Sequence, residues 1–167
     1  MDENDEVNEE TQGFVAKLNN YKILKQFFQA VNVNDGGTAS FYLQSHGLKM
    51  TVEDCKTFQA NAFLDQNIFN EFTYTPEQDL GFNLQLKSIL DVLNIFGSAK
   101  DSNTTLGGTQ STIFSTSPLA SLVLHCADLG EPFCMWLEEE GIVTKAELPT
   151  RDLEETLAFG EIWDFWA

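Results

Sequence analysis

The residues able to carry chemistry in this 167-residue sequence are three cysteines, two histidines and several neighbouring carboxylates. Zinc sites need ligand pairs about two to four residues apart, and Cys55, Cys126 and Cys134 form no such pair, either among themselves or with His46 and His125. Cys126 lies in an alternating apolar segment, where a cysteine is typically a small buried hydrophobe. We therefore predict no metal site. The odd number of cysteines also disfavours a secreted disulfide scaffold and favours a reducing, intracellular compartment.

The neighbouring carboxylates raise the question of two-metal hydrolysis. Two-metal hydrolysis needs several carboxylates that converge on ions about 4 Å apart. Glu138, Glu139 and Glu140 are consecutive, so on a strand they point to alternate faces and cannot all converge. The Glu53–Asp54 pair follows a predicted hairpin strand and is equally typical of a turn. Since no Ser-His-Asp set, phosphate-binding glycine loop or HExxH motif occurs, the sequence predicts no catalytic residue and no cofactor.

The lysines must be judged against a strongly acidic background. Nine basic and 26 acidic residues leave a formal net charge of −17, which argues against a protein that binds nucleic acid through bulk positive charge. The charge is uneven: residues 11–52 contain four lysines and one acid, whereas residues 128–167 contain eleven acids and two bases. Any contact with nucleic acid must therefore be local, and we expect two surfaces of opposite sign.

The basic stretch contains an amphipathic helix, predicted at residues 21–31. Asn19 or Asn20 is a suitable N-cap, and residues 34–37 contain the signals that end the helix. Its apolar side has helical spacing, while the opposite side carries no carboxylate and is formed by Lys22, Lys25, Gln26 and Gln29. Taken alone, this polar side is either an ordinary solvated face or a surface that meets anions.

The remaining pattern alternates between short strands and one further helix. The predicted strands are residues 14–18, 39–43, 48–52, 57–64, 80–84, 120–126, 132–137 and 142–148, with a turn and a short strand within 68–74. The alanines of residues 57–64 would also suit a helix. A second helix is predicted at residues 86–96, closed by Gly97, and residues 98–118 form a long surface loop. This order indicates an α+β domain in which two helices lie on one face of a curved antiparallel sheet.

Several blocks of this pattern resemble a known family. They are GLKMTVED at 47–54, QANAF at 59–63, IFNEF at 68–72, LDVLNIFG at 90–97, FCMWLEE at 133–139, GIVT at 141–144 and LEETLAF at 153–159. In order and spacing they resemble the N-terminal half of sliding clamps of the proliferating-cell-nuclear-antigen type, and most closely the Rad-one subunits of the heterotrimeric DNA-damage checkpoint clamp. The resemblance covers residues 21–159.

The resemblance implies a domain organisation. Residues 1–12 are expected to be an acidic disordered tail, residues 13–152 an N-terminal clamp-like domain, and residues 153–159 the start of an interdomain connector. Residues 160–167 match nothing in the family, and its second clamp domain is not found in this sequence. Residues 26–38 are also longer than the family pattern.

The resemblance also assigns roles to residues. Both helices would line the inner wall of a ring, so that Lys22, Lys25 and Lys87 face the DNA backbone without reading its sequence; Asp91, one turn after Lys87, is evidence against that role for Lys87. The last strand would be a subunit-pairing edge, unless its own charges only protect it from pairing. Its residues are Ile142, Val143, Thr144, Lys145, Ala146, Glu147 and Leu148.

The function implied is that of a non-catalytic subunit of a DNA-encircling checkpoint clamp, active in DNA-damage checkpoint signalling and repair in the nucleus. Its partners would be two paralogous subunits, a clamp loader and double-stranded DNA held non-specifically. No membrane role is expected, since no run of eighteen apolar residues and no signal-peptide pattern occur. Two alternatives remain at this point: a 3′-5′ DNA exonuclease, and a free-standing intracellular protein-interaction module.

Overall fold

The computed structural model describes residues 12–32, 37–55, 57–98, 120–139 and 141–154. Within these ranges nine strands and two α-helices follow one another along the chain. They are β1 (Phe14–Leu18), α1 (Tyr21–Ala30), β2 (Thr38–Gln44), β3 (Gly47–Asp54), β4 (Phe58–Asp65), β5 (Glu71–Tyr74), β6 (Leu80–Gln85), α2 (Leu86–Ser98), β7 (Ser121–Cys126), β8 (Phe133–Glu139) and β9 (Ile142–Leu148).

The strands form two antiparallel sheets. One has the order β5-β1-β7-β8-β9 and the other the order β4-β3-β2-β6. The predicted α+β class with two helices is therefore confirmed, and the strands divide between two hydrogen-bonded sheets. A short 3₁₀ helix, Gln66–Ile68, connects β4 to β5, as the predicted turn before a short strand requires.

The topology interlocks two halves of the chain. In each half a strand precedes a helix and three strands follow it: β1, α1 and β2 to β4, then β6, α2 and β7 to β9. However, β1 lies in the sheet of β7 to β9, and β6 lies in the sheet of β2 to β4. Each half thus donates its first strand to the sheet of the other, so each sheet contains strands of both halves.

The core joins the two halves through aromatic contacts. Phe41 of β2 stacks on Phe82 of β6 with ring centroids 6.0 Å apart, and both rings contact Phe133 of β8. Phe28 of α1 packs against Phe41 at 5.9 Å. All four side chains are at most 1% exposed. Burial of aromatic rings of this size is a major source of stability, and here it depends on both sheets and α1 at once.

The helices follow the local signals in the sequence, with one correction. The Asn20 side chain accepts a hydrogen bond from the Lys22 N–H (3.2 Å), as an N-cap does, and α1 ends at Ala30. The second helix was predicted to close at Gly97, which is wrong: α2 continues through Gly97 to Ser98. The difference is two residues at the end of the helix, where helical hydrogen bonding commonly extends by a residue or two.

Several predictions lie outside the described residues. These are the acidic tail except for Gln12, the exit from the first helix at 34–37 except for Gly37, the predicted loop after Ser98, and residues 155–167. Of the described helices, none combines the length and apolar character needed to cross a membrane.

Candidate DNA-facing surface and subunit edge

The first candidate surface is the polar side of α1. Leu24 and Phe28 are buried, whereas Lys22, Gln26 and Gln29 are exposed and Lys25 is half-buried. The burial pattern follows the apolar spacing of the sequence, so the polar residues share the side of the helix that faces away from the core. Because α1 contains no acid, nothing on the helix itself offsets its two lysines. A helix side with two lysines and no acid is suited to contact a polyanion at many positions along its length.

The second helix presents a different surface. Lys87 and Asp91 form an ion pair of 2.7 Å between Nζ and Oδ2, and both side chains are more than half exposed. Ile95, one turn further on, is 66% exposed. The structure brings α2 into contact with α1. However, Lys87 is paired with Asp91 in the structure. The argument against a DNA-facing role for Lys87 therefore applies to the folded protein as well.

The predicted pairing edge is a strand at the end of its sheet. Among the described residues β9 pairs with β8 alone, in an antiparallel register that runs from Phe133 opposite Leu148 to Glu139 opposite Ile142. Ile142 and Val143 are 69% and 65% exposed. An edge strand with exposed β-branched side chains is a ready template for another strand.

The charged residues of that edge are held in place by an aromatic ring. Lys145 Nζ lies 2.6 Å from Glu147 Oε1 and 5.5 Å from the ring centroid of Trp136, which is directly opposite Lys145 on β8. On the other side of Trp136 lies His125, with ring centroids 5.3 Å apart. Sequence reasoning missed Trp136. The available signal was its outward position in the alternation of β8, where a large aromatic residue would need a partner.

The residues considered for catalysis and metal binding are dispersed. Cys126 is fully buried, and burial raises the pKa of its thiol to about 12, so it is neither a ready nucleophile nor a ready ligand. Burial also raises the pKa of Cys134. Within the described ranges, no group of three or more His, Cys, Asp or Glu side chains is placed to hold a metal ion.

A buried polar cluster beside the end of the described chain also escaped sequence reasoning. Asn83 of β6 is 2% exposed; its side chain accepts a hydrogen bond from Ser40 Oγ (2.8 Å) and donates one to the Asp152 carbonyl (3.1 Å). Its main chain forms two further hydrogen bonds with Arg151. The cluster secures the segment that follows β9. The only sequence signal was a polar residue in an apolar strand.

Comparison with known proteins finds one matching family model and several similar sequences. The family model described as repair protein Rad1/Rec1/Rad17 matches residues 13–160. Cell cycle checkpoint protein RAD1 of Mus musculus is 33% identical over 145 residues, which cover 87% of this chain and 46% of the relative. The Homo sapiens protein of the same name is 34% identical over 145 residues, with 87% and 45% coverage. This chain therefore spans about half the length of these curated relatives.

The fold has a structural counterpart as well. The crystal structure of PCNA from Thermococcus kodakaraensis superposes with a TM-score of 0.60 at 16% identity, over 86% of this chain and 49% of that one. At this identity the likeness establishes the sliding-clamp fold alone. Because the family model covers most of the chain and the fold is that of a clamp domain, the chain belongs to the Rad1/Rec1/Rad17 family of repair proteins.

Proposed function

We propose that this chain supplies the N-terminal clamp domain of a non-catalytic subunit in a ring that encircles DNA at sites of damage. In that role it supports checkpoint signalling and repair in the nucleus by tethering other proteins to DNA. Residues 13–152 form the domain, and residues 153–159 begin the connector to a second domain. Family membership and the clamp fold support the proposal. The observation that carries it is the acid-free polar side of α1 in a chain of net charge −17.

The DNA contact follows from the chemistry of this helix side. Lysine ammonium groups on flexible stems meet phosphates without specifying register, which suits a protein that slides. Lys22 and Lys25 are the principal contacts, and Lys87 contributes less because Asp91 shares its charge. Topological enclosure by the ring makes weak individual contacts sufficient. The ring also requires two paralogous subunits, a clamp loader that opens it, and pairing through β9.

The first test compares matched lysine variants in the complex of this chain with its two paralogous subunits. Each phosphate contact contributes about −0.9 to the slope of log affinity against log salt. We expect Lys22→Gln with Lys25→Gln to reduce that slope by about 1 to 2, and Lys87→Gln to reduce it less. Lys49→Gln, on β3, is the control. Equal slopes for all variants would contradict the DNA-facing role of α1.

The second test concerns the isolated chain. At physiological salt exposed charges act over only about 8 Å, so two or three lysines supply a weak attraction to DNA and the net charge of −17 adds none. We expect the isolated chain to bind DNA feebly in a mobility shift and still to capture a paralogous subunit through β9. Tight, salt-resistant DNA binding without capture of either paralogue would contradict both assignments.

The non-catalytic role has its own test. Purified protein with magnesium or manganese should leave 3′-labelled single- and double-stranded DNA intact. Asp54→Ala and Glu138→Ala are the informative variants, since these positions carry the carboxylates that a nuclease hypothesis would use. Metal-dependent cleavage that copurifies with the protein and is lost in either variant would establish the exonuclease instead.

A further inference from the structure

The two lysines of α1 differ from three other lysines of the described fold in their counter-charges. Lys17, Lys87 and Lys145 each lie within 3.3 Å of a carboxylate oxygen. Among the described residues, neither Lys22 nor Lys25 has a carboxylate at ion-pair distance. Lys22 is exposed and Lys25 is half-buried. The outward side of α1 therefore presents two positive charges that an anionic segment can bind.

The most negative of the segments outside the described residues is the N-terminal one. Residues 1–11 contain six acids and no base, a formal charge of −6. By comparison, residues 155–167 contain three acids and no base, and residues 99–119 contain one acid and one base. A dense run of carboxylates imitates the closely spaced charges of a phosphate backbone, so it suits the same lysines. Charge complementarity thus favours residues 1–11 as an occupant of α1.

The point at which this segment joins the fold limits which of its acids can reach α1. The Gln12 carbonyl lies 3.3 Å from His125 Nε2, at the start of β1. The helix begins beyond the other end of β1, and that strand is about 17 Å long. Since a chain extends at most about 3.6 Å per residue, Glu9 and Glu10 lie no further than about 11 Å from Gln12. These two acids, the near pair, fall short of the helix.

The first acids of the segment have a much longer tether. Asp2 and Glu3, the far pair, are ten and nine residues before Gln12. The chain between them spans up to about 32–36 Å, which is twice the length of β1. The far pair can therefore reach the exposed side of α1, although it carries the same charge as the near pair. Reach thus separates two pairs of acids that composition alone would treat as equivalent.

From charge and reach we propose that the far pair docks on the exposed side of α1, where Asp2 and Glu3 pair with Lys22 and Lys25. The segment then occupies the helix side that the proposed function assigns to DNA. A tethered partner acts at an effective concentration on the order of millimolar, so weak exposed ion pairs suffice. The N-terminus is thus a built-in competitor that suppresses non-specific DNA binding by the free chain. The docking rests on the charges of this chain alone, whereas the competition rests on the proposed function.

Zero-length carbodiimide coupling of the full chain tests the docking. The reagent joins a carboxylate to an amine only where the two groups are in contact, and mass spectrometry of peptides identifies the joined residues. At about 0.05 M salt we expect Lys22 and Lys25 to be coupled to Asp2 and Glu3, with much less coupling at about 0.5 M, where the ion pairs are screened. Lys49, half-buried like Lys25, is the control and should not be coupled to these acids.

Two variants of equal net charge test the competition. Asp2→Asn with Glu3→Gln neutralises the far pair, and Glu9→Gln with Glu10→Gln neutralises the near pair. Affinity of the full chain for a labelled DNA duplex is measured by fluorescence anisotropy at about 0.05 M salt, where phosphate contacts are strongest. We expect the far-pair variant to bind about threefold to tenfold more tightly than the parent, and the near-pair variant less than about twofold.

The outcomes distinguish the inference from the proposed function. In a chain that also carries Lys22→Gln and Lys25→Gln, neutralising the far pair should no longer change the affinity for DNA. Coupling of the α1 lysines to residues 155–167 instead, coupling to Lys49 to the same extent, or equal effects of the two pairs would overturn the inference alone. Coupling as expected, together with one DNA affinity for all variants, would contradict the DNA-facing role of α1 and with it the competition.

An absence of coupling, in a chain whose lysine variants still reduce the salt slope of the assembled complex, would overturn the docking and leave the proposed function intact.

Discussion

The two halves of the domain, residues 14–74 and 80–148, share one order of elements but differ in how they are secured and what they present. In the first half β5 covers the outer edge of β1 over four register positions. In the second half the segment after β9 meets β6 at a single bridge, Asn83 opposite Arg151, reinforced by the buried Asn83 side chain. The outer side of β1 thus meets a ladder, whereas β6, which pairs with β2 on its other side, meets the segment after β9 through one bridge and one side chain.

The two helices also differ in the charges on their exposed sides. The polar side of α1 has two lysines and no acid, while α2 pairs Lys87 with Asp91 and exposes Ile95. The same position in the topology thus carries different charge chemistry in the two halves. The comparison teaches that repeated topology sets where a surface lies, whereas the residues on each copy of the repeat decide what that surface binds.

The largest expected change in the free energy of unfolding comes from variants that test whether the two halves unfold as one cooperative unit. Phe41→Ala removes a ring that contacts Phe82 and Phe133 of the other half, so unfolding in denaturant should remain a single transition with a free energy lower by about 3–5 kcal/mol. Phe133→Ala should behave alike. Phe63→Ala, at a half-buried position of β4, is the control with a smaller loss. Two separate transitions would show that the halves fold independently.

An intermediate effect tests how the second half is secured. Asn83→Ala leaves Ser40 and the Asp152 carbonyl without their partner, and we expect the free energy of unfolding to fall by about 1–3 kcal/mol. Trypsin should then cleave after Arg151 much faster than in the parent, because the segment is released. Thr150→Ala removes only an exposed hydrogen bond to the Glu131 carbonyl and is the matched control. Unchanged cleavage would mean that the bridge alone holds the segment.

The smallest effect concerns the exposed ion pairs of the two halves. Asp91→Asn removes the Lys87 partner on α2, and Glu71→Gln removes the Lys17 partner at 3.3 Å on β5. Since exposed pairs contribute little, each change should lower the free energy of unfolding by no more than about 0.5 kcal/mol, as measured by denaturant unfolding. A loss above about 1 kcal/mol at either position would assign that pair a structural role.

Local pattern determined most of the elements in advance. Alternation predicted β1 and the hairpin of β2 and β3, and the apolar spacing predicted α1 and α2, because these periodicities reflect which side of an element meets the core. The predicted bounds differ from the observed ones by one or two residues at several ends, Gly97 among them, because local pattern does not fix where an element stops. The strand at residues 142–148 was predictable from its alternation, whereas its place at the edge of the sheet was expected only from the family resemblance.

What the sequence by itself determined was therefore the class of fold, the order of its elements, the acid-free side of α1 and the charge order of β9. Only the tertiary structure decided that β1 and β6 exchange sheets, that Trp136 lies beneath Lys145, and that Asn83 secures the segment after β9. These contacts join residues distant along the chain or on separate strands. Periodicity reports the environment of each residue but not the identity of its partner, and the partner is chosen by sheet order and register.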